Sequence, residues 1–148
     1  MAFPSISNLN ATPFFDNAFA QGSAPSNQFA FKLASTDSEL YIGGVNPEQF
    51  SDFIEFHPVL SESGFWQIGE GAIHTGSETP VTGIQTIIDS GTTIIYGPPE
   101  SVKELYDSVP GAEIFDSKNG FYSFPCSSPP SVSFSWEEGR RWRISDDK

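Results

Sequence analysis

The chain has 148 residues with 7 Lys and Arg against 19 Asp and Glu, a formal charge of −12 and a pI near 4.2. That length is enough for one domain with a real core, and the missing basic footprint argues against nucleic acid and anionic membranes as partners. Fourteen Phe, 13 Gly and 12 Pro alongside only 18% charged residues point to a β-rich globular domain and not a disordered tail.

From Met1 to about Asn27 the chain is rich in Ser, Asn, Ala and Phe and is broken by Pro4, Pro13 and Pro25. One short helix is expected over Pro13–Gln21, with Thr12 as N-cap, Pro13 at the first helical position and Gly22 past its end. Phe15 and Phe19 then share a face. Asn10-Ala11-Thr12 is a glycosylation sequon, so Asn10 is a modification candidate if the protein is secreted. Phe29–Leu33 and Glu39–Ile42 read as paired strands around Ser35-Thr36-Asp37-Ser38, ending at Gly43-Gly44. Asp52–Val59 alternates in polarity and is expected as a strand up to Pro58. Phe65–Ile68 and Ala72–Thr75 continue the pattern into a hairpin at Gly76–Thr79. His57 and His74 are both read as surface strand residues, since no Cys or acidic ligand set accompanies them.

Thr86–Gly97 is the most distinctive stretch. Two apolar runs rich in β-branched residues, Thr86-Ile87-Ile88 and Thr93-Ile94-Ile95-Tyr96, flank Asp89-Ser90-Gly91-Thr92. Such runs read as buried strands, which puts Asp89 on a turn between two pieces of core. A buried carboxylate needs donors, and Ser90, Thr92, Thr93 and the Gly91 amide are within reach. Beyond Gly97-Pro98-Pro99, Val102, Leu105, Tyr106 and Val109 recur at helical spacing and Pro110-Gly111 stops the helix. Phe121–Phe124, Ser131–Trp136 and Trp142–Ile144 are further strands, with Glu137–Arg141 as a charged hairpin tip. The chain then stops at Asp146-Asp147-Lys148 with no closing strand expected.

One cysteine, Cys126, excludes an internal disulfide. It is either a buried apolar filler or half of a bond to a partner outside this sequence. No run reaches the ~18–20 apolar residues of a spanning helix. The first residues lack the basic and apolar regions of a signal peptide, so none is expected. No metal-ligand spacing or phosphate loop stands out, and no cofactor is expected.

Ala2-Phe3-Pro4-Ser5-Ile6-Ser7, Thr12-Pro13-Phe14-Phe15-Asp16-Asn17, Ile42-Gly43-Gly44, Phe65-Trp66-Gln67-Ile68 and Ile87-Ile88-Asp89-Ser90-Gly91-Thr92-Thr93 occur in that order, with Gly97-Pro98 following. Together they resemble a pepsin-like aspartic endopeptidase of fungal type. The resemblance implies a mainly β fold, part of a pepsin-like β-barrel lobe with two short helices. It implies that residues 1–28 are the end of an N-terminal lobe and the connection between lobes, and that residues 29–148 are an incomplete C-terminal lobe. In that family each of two lobes gives one Asp-Thr/Ser-Gly loop, and the peptide substrate lies between them. Asp89 would be the second-lobe catalytic Asp. Ser90, Gly91 and Thr92 would support its loop, and Gly91, Thr92 and Thr93 would meet the substrate.

The first-lobe loop, the flap tyrosine and the expected disulfide partner of Cys126 have no counterpart here. The resemblance therefore implies a truncated enzyme, inactive alone, whose full-length form is secreted or vacuolar and cleaves peptide bonds at acidic pH. Two other readings stay open at this point: pairing of two copies through Asp89, and a non-catalytic β-domain that binds peptide or carbohydrate through its aromatics. A glycosidase would need a second carboxylate converging on Asp89, and nothing in the pattern brings Glu70 or Glu78 there.

Overall fold

A computed structural model of the chain describes residues 3–9 and 11–144. Asn10 and the terminal residues 145–148 lie outside the described residues, so the sequon and the expected lack of a closing strand find no structural counterpart here. The chain divides into two compact units, Met1–Ile54 and Glu55–Lys148. The architecture is mainly β, with two α-helices.

In the first unit, α1 (Phe14–Ala20) is the expected short helix, shifted by one residue at its start. Pro13, not Thr12, occupies the N-cap position, and no side chain caps the helix. Thr12 is engaged through its carbonyl instead, which accepts from the Asn17 side chain at 3.1 Å. The single buried residue of the helix is Phe15, which stacks on Phe29 with ring centroids 4.1 Å apart, while Phe19 stays exposed. β1 (Phe29–Lys32) and β2 (Glu39–Ile42) pair antiparallel, Phe29 opposite Ile42 and Lys32 opposite Glu39. Ser38 closes the turn between them: its hydroxyl donates to the Ala34 carbonyl at 2.8 Å and accepts from the Ala34 amide at 3.1 Å. Gly43 ends the hairpin at φ +84, and a Cβ there would stand 2.3 Å from Pro25 Cδ. Only glycine fits that position without strain.

The expected strand over Asp52–Val59, a stretch that runs from the first unit into the second, does not form. Val59 makes one isolated bridge to Ile68, and the Leu60 amide donates to the Gln67 carbonyl at 2.7 Å. Alternating polarity alone does not make a strand when no ladder partner lies alongside, and Pro58 removes a donor. β3 (Gln67–Thr75) and β4 (Glu78–Ile87) form the long hairpin, turned at Gly76. β7 (Val132–Trp136) pairs with the other side of β3, and β8 (Trp142–Arg143) pairs with β7. The sheet order is β4-β3-β7-β8, and among the described residues it is open at both edges and not closed into a barrel. Its apolar core is small: Ile68, Ile73 and Val81, with Val81 only 2% exposed, and Val109.

α2 (Pro99–Asp107) carries Val102, Leu105 and Tyr106 on a half-buried stripe continued by buried Val109, as its spacing predicts. β5 (Glu113–Asp116), a strand the sequence pattern does not predict, pairs with β6 (Phe121–Ser123). Asp116 shapes their connection, its Oδ1 accepting from the Lys118 and Asn119 amides and its Oδ2 from the Asn119 side chain. Those donors, the Asn119 amide group of the side chain foremost, hold its carboxyl below the ordinary range.

Candidate active site

β4 delivers the chain to Asp89, and two long-range hydrogen bonds fix where it ends. The Trp136 indole N–H on β7 donates to Thr86 Oγ1 at 2.6 Å, reaching across β3. The Ile88 amide donates to the Trp66 carbonyl at 2.9 Å, one residue before the carboxylate. Asp89 then folds back on its own loop. The Gly91 amide donates to Oδ1 at 2.8 Å, and the Thr92 hydroxyl donates to Oδ2 at 2.6 Å.

Both bonds favour the charged carboxylate. The Thr92 hydroxyl contributes most and the Gly91 amide next, so Asp89 is held below the ordinary carboxylate value. Of the four expected donors, the structure brings Gly91 and Thr92 to the carboxylate. Ser90 and Thr93 lie in the same exposed turn and make no hydrogen bond to it. The burial expected for this site is not found. Asp89 is exposed, and so are Ile87, Ile88, Ile94 and Ile95, the last at 70%. Thr92–Gly97 forms no strand. An apolar run becomes a buried strand only when a neighbouring strand and a covering layer are present, and the described residues supply neither next to it.

The Asp89 loop lines neither of two cavities found among the described residues of the second unit. One, about 410 Å³, lies between the end of α2 and the β5–β6 hairpin, where Tyr106 and Tyr122 stack at 4.5 Å. The other, about 240 Å³, is bordered by His57, Glu70, Gln85 and Glu137. His57 is not the surface strand residue expected: its Nε2 stands 2.8 Å from Glu55 Oε1, and both side chains are largely buried. Glu55 Oε2 in turn accepts from the Arg140 amide at 3.1 Å. Gly139 makes this packing possible, because a Cβ there would fall 1.8 Å from Glu55 Oε1 and 2.8 Å from the Trp136 carbonyl. His74 also departs from expectation, being buried at 5% exposure in the middle of the sheet.

Cys126 is free and exposed, not an apolar filler. Among the described residues no cluster of three or more His, Cys, Asp or Glu converges as a metal site, and no helix is long and apolar enough to cross a membrane. No sequence pattern marks Trp66, Thr86 and Trp136 as anchors of this loop. Trp136 lies 50 residues from Thr86, and nothing local signals that pairing.

What the chemistry of a donor-held Asp-Ser-Gly turn suggests, the relatives place in context. The chain is 35% identical over 142 residues to "Aspartic protease" of Phaffia rhodozyma, covering 92% of this chain and 35% of that protein. It is 34% identical over 143 residues to "Cathepsin D" of Bos taurus (90% of this chain, 36% of that one). To "Pepsin A" of Sus scrofa it is 32% identical over 137 residues (89% and 34%). The chain thus spans about a third of the length of the curated relatives it matches. The eukaryotic aspartyl protease profile matches residues 1–148 in full, and the chain belongs to that pepsin-like family.

Proposed function

We propose that Asp89 is one of the two catalytic carboxylates of an acid endopeptidase, and that the other comes from outside this sequence. The carrying observation is a single Asp-Ser-Gly loop whose carboxylate takes an amide on one oxygen and a hydroxyl on the other. Two carboxylates about 3 Å apart cannot both ionise and share one proton, as is established for this enzyme class. A donor-held Asp89 suits the ionised partner. It would take a proton from a water as that water's oxygen bonds to the peptide carbonyl carbon, while the protonated partner gives its proton to the carbonyl oxygen. Collapse of the tetrahedral intermediate then breaks the C–N bond, and the amine leaves with a proton.

In this reading residues 1–28 end a first lobe and residues 29–148 belong to the second. Ser90 supports the turn, Gly91, Thr92 and Thr93 face the peptide, and the exposed Ile94–Tyr96 run is covered by chain from outside this sequence. The working environment is acidic, in a vacuole or outside the cell, in keeping with the −12 charge. With one carboxylate there is no proton to share, so this chain alone does not cleave.

The test joins the chain to the segment that precedes the matched stretch in the Phaffia rhodozyma relative. Cleavage of a denatured protein at acidic pH is then followed for the chain alone, the chimera and the chimera with Asp89→Asn. Activity is expected in the unsubstituted chimera only. Cleavage by the chain alone, or by the Asp89→Asn chimera, would overturn the proposal.

A further inference from the structure

The buried ring of His74 has no part in the chemistry above, yet it joins three strands. It sits on β3 with Nδ1 2.9 Å from Thr79 Oγ1 on β4 and Nε2 2.8 Å from Ser135 Oγ on β7. Its backbone neighbour on β7 is Ser133. We propose that His74 is a pH-sensitive clasp of the central sheet, closed when the ring is neutral and weakened when the ring takes up a proton. The inference concerns sheet stability and stands apart from the catalytic role of Asp89.

The geometry supplies the reason. A neutral imidazole donates from one nitrogen and accepts at the other, so one hydroxyl must donate to the ring while the other accepts from it. Protonation turns both nitrogens into donors. The hydroxyl that had been donating must reverse and leave its own proton without that acceptor. Ser135 is itself buried, so any mismatch on its side is not repaired by solvent.

The surrounding charges do not compensate. β7 carries no ionisable side chain between Val132 and Trp136. β4 contributes Glu78, beside Thr79 and exposed, and β3 carries Glu70 four residues away. Arg141, just before β8, places its positive charge where it repels a cation on the ring. Arg143 on β8 is paired with Ser133, the backbone partner of His74. Burial first, and Arg141 second, accordingly hold the ring below the ordinary histidine value.

The direction of the pH effect follows. The unfolded chain takes up the proton near pH 6.5 and the folded one only lower, so the unfolded state binds more protons between those points. Stability from the clasp is present above about pH 6.5, falls as the pH drops toward the folded value, and is constant below it. Within that window the unfolding equilibrium constant rises by up to tenfold per pH unit.

The chain has two histidines, so ring resonances followed by NMR from pH 8 to 4.5 are assigned with a single His57→Gln variant. Urea midpoints of wild type and His74→Gln are measured over the same range. An amide keeps one donor and one acceptor but does not titrate. The ring is expected to titrate below 6.5, and the midpoint loss between 7.5 and the ring's titration point is expected in wild type and not in His74→Gln. A ring titrating at or above 6.5, or equal pH slopes in the two proteins, overturns the proposal. Should His74→Gln not fold, Arg141→Gln decides: the ring's titration point is expected to move up, and an unmoved one contradicts the charge arrangement.

Discussion

The bond from the Trp136 indole to Thr86 Oγ1 ties β4, which ends two residues before Asp89, to β7, and its contribution can be measured. Trp136→Phe removes the donor and keeps an aromatic ring, and Thr86→Val removes the acceptor at nearly constant volume. The bond is 2.6 Å long and part-buried. A net contribution of about 0.5–1.5 kcal/mol is expected for such a bond. Each single change also alters packing: the smaller ring loses apolar contact and the valine gains a methyl. The pairwise quantity therefore comes from the double-mutant cycle.

With a urea m-value of about 1–2 kcal/mol/M, a coupling of about 1 kcal/mol corresponds to roughly 0.5–1 M in midpoint. The assay is urea unfolding of the four proteins at pH 7, followed by far-UV circular dichroism so that loss of a tryptophan does not bias the signal. A coupling below about 0.3 kcal/mol, within the usual error of additivity, would refute the claim that this bond anchors the strand.

Val81 is the most enclosed apolar side chain of the sheet, so Val81→Ala is expected to cost about 2–3 kcal/mol, two methyl groups of transfer plus the space they leave, read as a urea midpoint shift. Gly43→Ala should destabilise the first unit by more than Gly22→Ala: both glycines have positive φ, but only at Gly43 does the new methyl strike Pro25, and limited proteolysis of the two variants ranks them. Thr92→Val removes the larger of the two bonds to Asp89, so the carboxyl should titrate higher than in wild type by NMR. Because Asp89 is depressed in the fold, its share of stability is present above the free-carboxylate value near 3.9 and lost as pH falls through the folded one; Thr92→Val should shrink that loss, and an unmoved titration would refute the assigned cause.

Local chemistry was legible in the sequence where it decided the structure. The β1–β2 and β3–β4 hairpins lie where turn residues separate alternating runs, and α2 follows its apolar spacing up to the Pro110-Gly111 stop. The turn at Asp89 was legible for the same reason: Gly91 and Thr92 are two and three residues away, within reach of their own carboxylate. Features that depend on distant chain were not. Asp52–Val59 has the pattern of a strand and no ladder to join, and the Ile94–Tyr96 run has the composition of a core strand with nothing described to cover it. The two histidines show the same limit. Neither has a local motif, yet Glu55 and Gly139 enclose one, while strands 61 residues apart in sequence enclose the other.

Proton sharing by Asp89 is tested most directly by following its side-chain carboxyl carbon by NMR against pH, in the chain alone and in the chimera carrying the relative's preceding segment. Alone, Asp89 should titrate in one step below the ordinary carboxylate value. In the chimera the titration should split into two coupled steps belonging to a pair of carboxyls. The same single step in both proteins would contradict the assignment of Asp89 as half of a catalytic pair.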